Sequence, residues 1–144
     1  MKSNITSFID YIIKIAMKES GVWLLRISLG VVFLWFGLLK IMDVSPVAEL
    51  VSNTYYFFPA REFLLVLGIW EMIIGLGLIF KIAIRATIGL LLLQMSGTFL
   101  SFFLAPEIFF NGNLFFLTTE GEFVIKNIVL VSAGIVIGGY ESKE

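Results

Sequence analysis

Four long apolar stretches, separated by short polar segments, constrain the fold of this chain more than any other feature. Each stretch is close to the ~20 residues that a helix needs to cross the hydrocarbon core of a bilayer. They cover residues 21–41, 62–80, 86–105 and 123–139. Hydrophobic residues make up 59% of the chain, whereas soluble domains contain ~45–50%. We therefore predict an all-α membrane protein in which four transmembrane helices form one bundle.

The segment before the first span, residues 1–20, has a different pattern. Its apolar residues recur at intervals of three and four, and most of its charged residues fall between them. This spacing is typical of an amphipathic helix, and the charges make the segment a poor membrane span. We predict an interfacial helix whose lysines lie near lipid headgroups, followed by a transmembrane domain over residues 21–144. A solvated helix packed against a partner protein is the alternative interpretation.

Basic residues predict the orientation of the bundle, since the cytoplasmic segments of multi-pass proteins are enriched in lysine and arginine. With four spans, seven basic residues fall on the side of both termini and three fall on the other side. The larger group is Lys2, Lys14, Lys18, Arg26, Lys81, Arg85 and Lys143, and the smaller group is Lys40, Arg61 and Lys126. We therefore expect both termini to lie in the cytoplasm.

The chain contains neither cysteine nor histidine. This composition excludes disulfide exchange, thiolate nucleophiles and histidine acid/base chemistry, and it removes the usual ligands of haem, zinc and copper sites. The formal net charge is −1 and the basic residues are scattered, so nothing indicates a nucleic-acid partner. We expect no metal site, and we expect any redox role to depend on a bound quinone or on the cofactor of a partner.

Charged residues within the predicted spans are the main candidates for function, because each costs ~2.5–3.5 kcal/mol to insert at the bilayer centre. Arg26 and Lys40 share one stripe of the first helix, Glu71 lies between two glycines of the second, and Lys126 lies in the fourth. A rise of ~1.5 Å per residue places Glu71 near the midplane and Lys40 near the outer surface. We therefore predict that either Arg26 or Lys126 can reach Glu71 by extending its side chain along the bundle.

Two interpretations of this polar interior remain open. In the structural interpretation, Glu71 is neutralised by a basic neighbour or stays protonated, and it only holds the helices together. In the functional interpretation, the acid and the lysines line an outward-facing pocket for a polar headgroup such as a quinone ring. The further candidates for such a pocket are Trp35, Trp70, Gln94 and Asn127.

The two outer segments of the chain are rich in aromatic residues. Ser45 and Pro46 predict a short helix over residues 45–52, and residues 55–58 read Tyr-Tyr-Phe-Phe. The second outer segment, residues 106–122, carries four more phenylalanines around an Asn-Gly-Asn turn. These segments either form an apolar cap over the outer mouth of the bundle or rest on the lipid headgroups as an aromatic belt.

Three segments, in order along the chain, resemble the DoxX-like integral membrane proteins, most of all the branch linked to reactive-chlorine resistance. Residues 25–40 (LRISLGVVFLWFGLLK) resemble the first-helix pattern of that family. Residues 68–76 (GIWEMIIGL) resemble its glycine-flanked glutamate, and residues 120–127 (EGEFVIKN) resemble its lysine-containing start of the fourth helix. The resemblance covers residues 25–140, and Asn127 stands where the related branch often has an aspartate.

The resemblance implies a four-helix protein of the bacterial inner membrane that is associated with redox chemistry or oxidative stress. The namesake of the family is a subunit of a thiosulfate:quinone oxidoreductase, and other members assist the assembly of partner proteins. Our first hypothesis is a quinone-linked membrane subunit, in which Glu71 and Lys126 contact the ring oxygens and Trp35 or Trp70 stacks on the ring. The second is a non-enzymatic scaffold or assembly subunit of a larger membrane complex. A channel or transporter is disfavoured, since four helices leave little room for a pathway unless the chain forms a homo-oligomer.

Overall fold

In the computed structural model, residues 2–141 are described, and they are organised as helices. Four helical segments are long and apolar enough to cross a membrane, namely Ile5–Ile41, Ala60–Ile79, Ile84–Leu104 and Thr119–Glu141. The prediction of an all-α fold with four such segments is thus confirmed. The helices are α1 (Lys2–Ile41), α2 (Ala48–Thr54), α3 (Ala60–Phe80), α4 (Ile84–Leu104), α5 (Pro106–Phe109), α6 (Thr119–Ile125) and α7 (Asn127–Glu141).

The first helix is longer than a single membrane span. Lys2–Ile41 is one helix of 40 residues, which corresponds to ~60 Å at the α-helical rise, whereas the hydrocarbon core is ~30 Å thick. No helix boundary occurs near residue 20, and the side chains of residues 5–18 are exposed. The interfacial position that we predicted for the N-terminal segment therefore stays a prediction. Met1 and Lys143, which entered the predicted boundaries and orientation, lie outside the described residues.

Helices α1 and α3 pack against each other through glycines. A Cβ atom added to Gly37 would lie 2.6 Å from the carbonyl oxygen of Gly68, and one added to Gly75 would lie 2.6 Å from the backbone nitrogen of Leu34. Such short distances mean that the two backbones are in direct contact, as small residues permit in membrane bundles. The contact therefore fixes the register of α1 on α3, and with it the positions of the charged residues on the same two stripes.

The apolar core of the bundle is formed where α1, α3, α4 and α7 meet. Its most buried members include Phe33, Ile74, Leu78, Leu91 and Ile137. The connection from α3 to α4 lies at one end of this core and takes only three residues. Lys81 and Ala83 in this connection have φ angles of 56° and 42°, a left-handed conformation that reverses the chain sharply.

The outer segments fold onto one end of the bundle. In the first outer segment, α2 covers Ala48–Thr54, whereas we predicted a helix over residues 45–52. Ser45 does not cap this helix, because its carbonyl oxygen accepts a hydrogen bond from the Ala48 N–H in a turn that precedes it. In the second, Phe109 is fully buried against Ala105 and Val124, whereas Phe115 is 90% exposed. Some of these aromatic residues therefore cover the bundle, and others project away from it.

The fourth span starts earlier than predicted and is interrupted. The Thr118 hydroxyl oxygen accepts a hydrogen bond from the Gly121 N–H at 3.1 Å and thereby caps α6, so helix begins at Thr119 instead of residue 123. Lys126 forms a turn between α6 and α7. This turn directs the Lys126 side chain to the surface of the bundle.

Candidate functional site

Glu71 of α3 is the centre of a polar cluster buried among three helices. Lys40 of α1 donates from Nζ to Glu71 Oε2 at 2.7 Å, and Gln94 of α4 donates from Nε2 to Glu71 Oε1 at 2.6 Å. Lys40 and Glu71 are each 7% exposed. Both carboxylate oxygens thus have a donor, and the ammonium group of Lys40 balances the negative charge.

The lysine reaches Glu71 because of the glycine contact between α1 and α3. A Cβ on Gly68 would lie 3.1 Å from the Lys40 Cβ, so the base of the lysine side chain passes directly over this glycine. From there its flexible stem extends along α3 to the carboxylate. Our prediction placed Lys40 at the outer surface from the height of its backbone alone, and it ignored the length and direction of the side chain.

Arg26, which we predicted as a partner of Glu71, belongs to a different cluster. Its guanidinium group donates to the carbonyl oxygens of Leu78 and Ile79 in the last turn of α3. Its Nε lies 3.2 Å from Glu141 Oε1, and Lys81 Nζ lies 2.5 Å from Glu141 Oε2. The prediction for Arg26 was wrong, because it overlooked Glu141, which lies two residues beyond the predicted end of the fourth span.

Lys126 also lies away from Glu71. Its side chain is 74% exposed, and its Nζ lies 3.7 Å from Glu122 Oε2 on the same segment. The turn between α6 and α7 directs it to the surface, so the predicted pairing with Glu71 was wrong. Asn127 is half-buried and is the first residue of α7.

The two tryptophans that we proposed for ring stacking have different environments. Trp35 is 64% exposed on the outer surface of α1. Trp70 is half-buried, and its Nε1 donates to the carbonyl oxygen of Leu90 at 3.2 Å. Of the predicted site residues, the structure therefore joins Glu71, Lys40 and Gln94, while Trp70 contacts α4 through Leu90.

A cavity of about 420 Å³ lies next to this cluster, between α3 and α4 and against α2. This volume is within the range of ~300–1,000 Å³ that is typical of small-molecule sites. Trp70 and Gln94 line it, so the cavity reaches the polar cluster through Gln94. The remaining aromatic lining is Tyr55, Phe58, Phe63 and Phe109, and the other polar lining is Thr54, Thr98 and Ser101.

The cavity opens on the side of the bundle, between α3 and α4. Four of its lining residues, Phe58, Val66, Leu93 and Leu100, are also exposed on the surface of the protein. They belong to the apolar surface of α3, α4 and the loop before α3, which faces lipid when these helices span a bilayer. The opening is therefore lateral, between two helices.

Two buried polar atoms beside the cavity have no hydrogen-bond partner within residues 2–141. They are the Thr54 hydroxyl oxygen and Gln94 Oε1, and both residues line the cavity. Burial without a partner costs ~1–3 kcal/mol per group, and each of these two atoms has less than 1 Å² of accessible surface, so other atoms of the protein separate them from the space of the cavity. We did not predict Thr54, and its only signal in the sequence is its position just before the aromatic run 55–58.

Tyr55 closes one wall of the cavity. Its hydroxyl donates to the carbonyl oxygen of Gly97 at 2.6 Å and so joins the loop before α3 to α4. Burial raises the pKa of this phenol above its ordinary value of 10.0. The fold therefore stabilises the protonated, neutral form of Tyr55, which is the form that donates to Gly97.

A second cavity, of about 390 Å³, lies among the outer segments. Glu49 and Glu120 line it, and both residues are exposed. No cluster of three or more acidic residues that could hold a metal ion occurs in the described part of the chain. This second cavity therefore has neither a buried charge nor a set of metal ligands.

No protein family, curated protein or solved structure matches this chain. The resemblance to the DoxX-like proteins stays a prediction, and the function rests on the geometry of the cavity and of the polar cluster beside it.

Proposed function

We propose that this protein is a quinone-linked membrane subunit that binds an amphipathic ring compound in the cavity between α3 and α4. The observation that carries the proposal is one cavity with a lateral opening, aromatic walls and a buried polar cluster at its edge. Phe58 and Trp70 lie in the walls, and Gln94 connects the cavity to Glu71 and Lys40.

The lateral opening favours a ligand that is dissolved in the membrane. A compound with an isoprenoid tail can enter between α3 and α4 without crossing water, and its tail can stay among the exposed apolar residues Val66, Leu93 and Leu100. Aromatic walls suit a planar ring, since offset or edge-to-face contacts between rings contribute ~0.5–1.5 kcal/mol beyond the burial of area.

Polar residues lie at the edge of the same cavity, which is where the oxygens of such a ring would be placed. Gln94 Oε1 and the Thr54 hydroxyl are buried without partners, and the Lys40–Glu71 pair holds Gln94 in place. A bound quinone supplies reversible two-electron chemistry, which this chain without cysteine or histidine has no side chain to perform. The chain itself binds and orients the ring, and the electrons pass to or from a partner subunit.

The direct test is the fluorescence of single tryptophans. The chain has three tryptophans, and a Trp23→Phe/Trp35→Phe variant keeps only Trp70 in the cavity wall. Titration of this variant in lipid nanodiscs with decylubiquinone, which quenches indole fluorescence, is expected to give saturable quenching.

The matched control is Trp23→Phe/Trp70→Phe, which keeps only the lipid-exposed Trp35. Collisions in the bilayer quench Trp35 without saturation. Identical linear quenching of both variants, together with no quinone in a lipid extract of the purified protein, would contradict the proposal.

A scaffold function is the second candidate, and the long N-terminal half of α1 favours it. Its residues 5–18 are exposed and include Phe8, Ile12 and Met17, which is an unfavourable surface to leave in water. If this half binds a partner, purification from native lipid recovers a companion protein in fixed ratio. Deletion of residues 2–18 then releases that companion.

We propose instead that α1, a single helix in the structure, bends near residue 20 in the bilayer, so that this half lies on the cytoplasmic surface of the bacterial inner membrane with its apolar residues in the lipid interface. The chain has no cysteine, so single cysteine variants can be labelled without background. A spin label at Phe8→Cys is expected to be relaxed by oxygen, which concentrates in lipid, more than by a water-soluble nickel chelate. The reverse order would place the helix in water or under a partner protein.

The same approach tests the orientation of the spans. Asn113 lies in the exposed turn between α5 and α6, and Lys14 lies in the N-terminal half of α1. In intact spheroplasts, an impermeant maleimide is expected to label Asn113→Cys and to label Lys14→Cys only after lysis. The opposite result would place the termini outside the cell.

A further inference from the structure

Gly97 of α4 lines the cavity and has free space beside it. It is half-buried, and a Cβ atom added to it would meet nothing within 4 Å. The glycines between α1 and α3 differ in this respect, since an added Cβ would lie 2.6 Å from a backbone carbonyl oxygen at Gly37 and 2.8 Å from one at Gly68. Close packing of the helices therefore does not require a glycine at residue 97.

The position of Gly97 on its helix places this free space in the cavity. Successive residues of an α-helix are ~100° apart, so Leu93 and Leu100 lie ~40–60° to one side of Gly97. Gln94 and Ser101 lie at the same angles on its other side. All four of these neighbours line the cavity. Gly97 is therefore at the centre of the face of α4 that forms the wall, and a side chain at this position would project into the cavity.

An aromatic wall meets α4 at the same residue. The Tyr55 hydroxyl donates to the carbonyl oxygen of Gly97 at 2.6 Å, and the centroid of the Tyr55 ring lies 5.3 Å from that of Phe63. Phe58 stacks on Phe63, with 5.1 Å between the ring centroids and 12° between the ring planes. All three rings line the cavity. A planar ligand in the cavity therefore has aromatic rings on the side of α3 and, at Gly97, bare backbone on the side of α4.

We infer that Gly97 is a specificity-determining residue of this cavity, because its missing side chain leaves room for a ring that carries substituents. The inference rests on the proposed function and names the feature of the ligand that the site selects, which is the size of the ring. A side chain at residue 97 fills space that a substituted ring needs. The contact with Tyr55 is kept, since it uses the backbone carbonyl and the phenol lies more than 4 Å from the added Cβ.

The test adds side chains of increasing size at this position. Gly97→Ala and Gly97→Val, in the background that keeps only Trp70, are titrated in nanodiscs with decylubiquinone and with decylbenzoquinone, whose ring carries no methyl or methoxy groups. Gly97→Val is expected to weaken the binding of decylubiquinone by about tenfold or more, since overfilling a packed site is costly, and Gly97→Ala by a smaller factor. Decylbenzoquinone is expected to lose less affinity, so the ratio of the two dissociation constants changes with the size of the side chain.

Gly89 provides the matched control in the same helix. An added Cβ at Gly89 would also meet nothing within 4 Å, but this residue is exposed and lies outside the lining of the cavity. Gly89→Ala and Gly89→Val are expected to leave both dissociation constants unchanged. The melting temperatures of all four variants should not fall below that of the background, because alanine and valine are at least as favourable as glycine in a helix. If valine prevents folding, the alanine pair carries the comparison.

Three results would overturn the inference and leave the proposed function standing, since Trp70 still reports a saturable ligand in each. They are unchanged binding of decylubiquinone in the Gly97 variants, an equal loss in the matched Gly89 variants, and an equal loss for the two rings. Failure of both ring compounds to quench Trp70 saturably in the background itself would instead remove the proposed function.

Discussion

Lys40 Nζ lies 2.7 Å from Glu71 Oε2 and joins α1 to α3 inside the bundle. The two residues are on adjacent helices that touch through Gly37 and Gly68, so the ion pair and the glycine contact support each other. A lysine and a glutamate within an apolar bundle are each costly alone. In contact, the positive charge of Lys40 and the negative charge of Glu71 compensate each other, so the pair carries no net charge.

Replacing either member of this pair alone is expected to destabilise the protein strongly. Lys40→Met leaves Glu71 as a buried charge without its counterion, and Glu71→Met does the same to Lys40. Each change is expected to lower the free energy of unfolding by about 3–5 kcal/mol, whereas the double variant recovers most of the loss. Denaturant titration in mixed micelles measures the cycle, and simple additivity of the two losses would contradict coupling.

Glycine substitutions are expected to have opposite effects at different positions of the bundle. A Cβ at Gly68 would lie 2.8 Å from the carbonyl oxygen of Gly37, whereas a Cβ at Gly89 of α4 would meet nothing within 4 Å. Gly68→Ala should separate α1 from α3 and destabilise the protein by about 1–3 kcal/mol or more. Gly89→Ala should be neutral or stabilise the protein by up to about 1 kcal/mol.

Thermal melts of the two glycine variants, side by side in one detergent, give the comparison. A Gly68→Ala protein as stable as Gly89→Ala would show that the glycine contact does not hold the helices in this register.

The cluster at the other end of the bundle also predicts a contrast. Glu141 is 8% exposed at its side chain and contacts Arg26 and Lys81, while Glu122 is 61% exposed and lies near Lys126. Glu141→Gln is expected to destabilise the protein by about 2 kcal/mol or more, since it leaves Arg26 without its counterion. Glu122→Gln is expected to change stability by less than about 0.5 kcal/mol. Equal melting temperatures of the two variants would contradict the assignment.

Tyr55 predicts a loss of stability at alkaline pH. Its pKa is raised by burial, so its contribution is complete below the unfolded pKa of about 10 and is lost as pH rises through the folded pKa. The difference in melting temperature between the unmodified protein and Tyr55→Phe is therefore expected to shrink above pH ~10. Tyr56, which is 82% exposed, provides the control for the loss of a phenol hydroxyl at the surface: Tyr56→Phe should change the melting temperature at neutral pH much less than Tyr55→Phe.

Hydropathy alone predicted the number of spans and placed α3 and α4 to within two residues. It also identified Glu71 and Gln94 as interior polar residues, since both lie on stripes that carry small or polar residues. These features depend on the local pattern of the sequence, because each segment that spans a bilayer must form a helix in order to satisfy its own backbone hydrogen bonds.

The ionic partners could not be predicted in the same way. They depend on how far a long side chain reaches from its backbone and on small changes in helix direction. Lys40 turns along α3 because Gly68 leaves room for it, and Lys126 turns outward at the break between α6 and α7. Thr54 is buried only when α2 folds onto the bundle, and this long-range contact cannot be inferred from the residues next to Thr54 in the sequence.

The three-residue connection between α3 and α4 determines where a ligand can reside. It holds the two helices together at Phe80 and Ile84, while the cavity lies towards their far ends, between Phe63–Trp70 and Leu93–Ser101. At the cavity end the two helices are not directly connected along the chain, and the hydrogen bond from the Tyr55 hydroxyl to the carbonyl oxygen of Gly97 joins the loop before α3 to α4. Under the proposed orientation, the occupant would exchange with the outer leaflet alone, so delivery of a ligand made in the cytoplasm would first require its movement across the membrane.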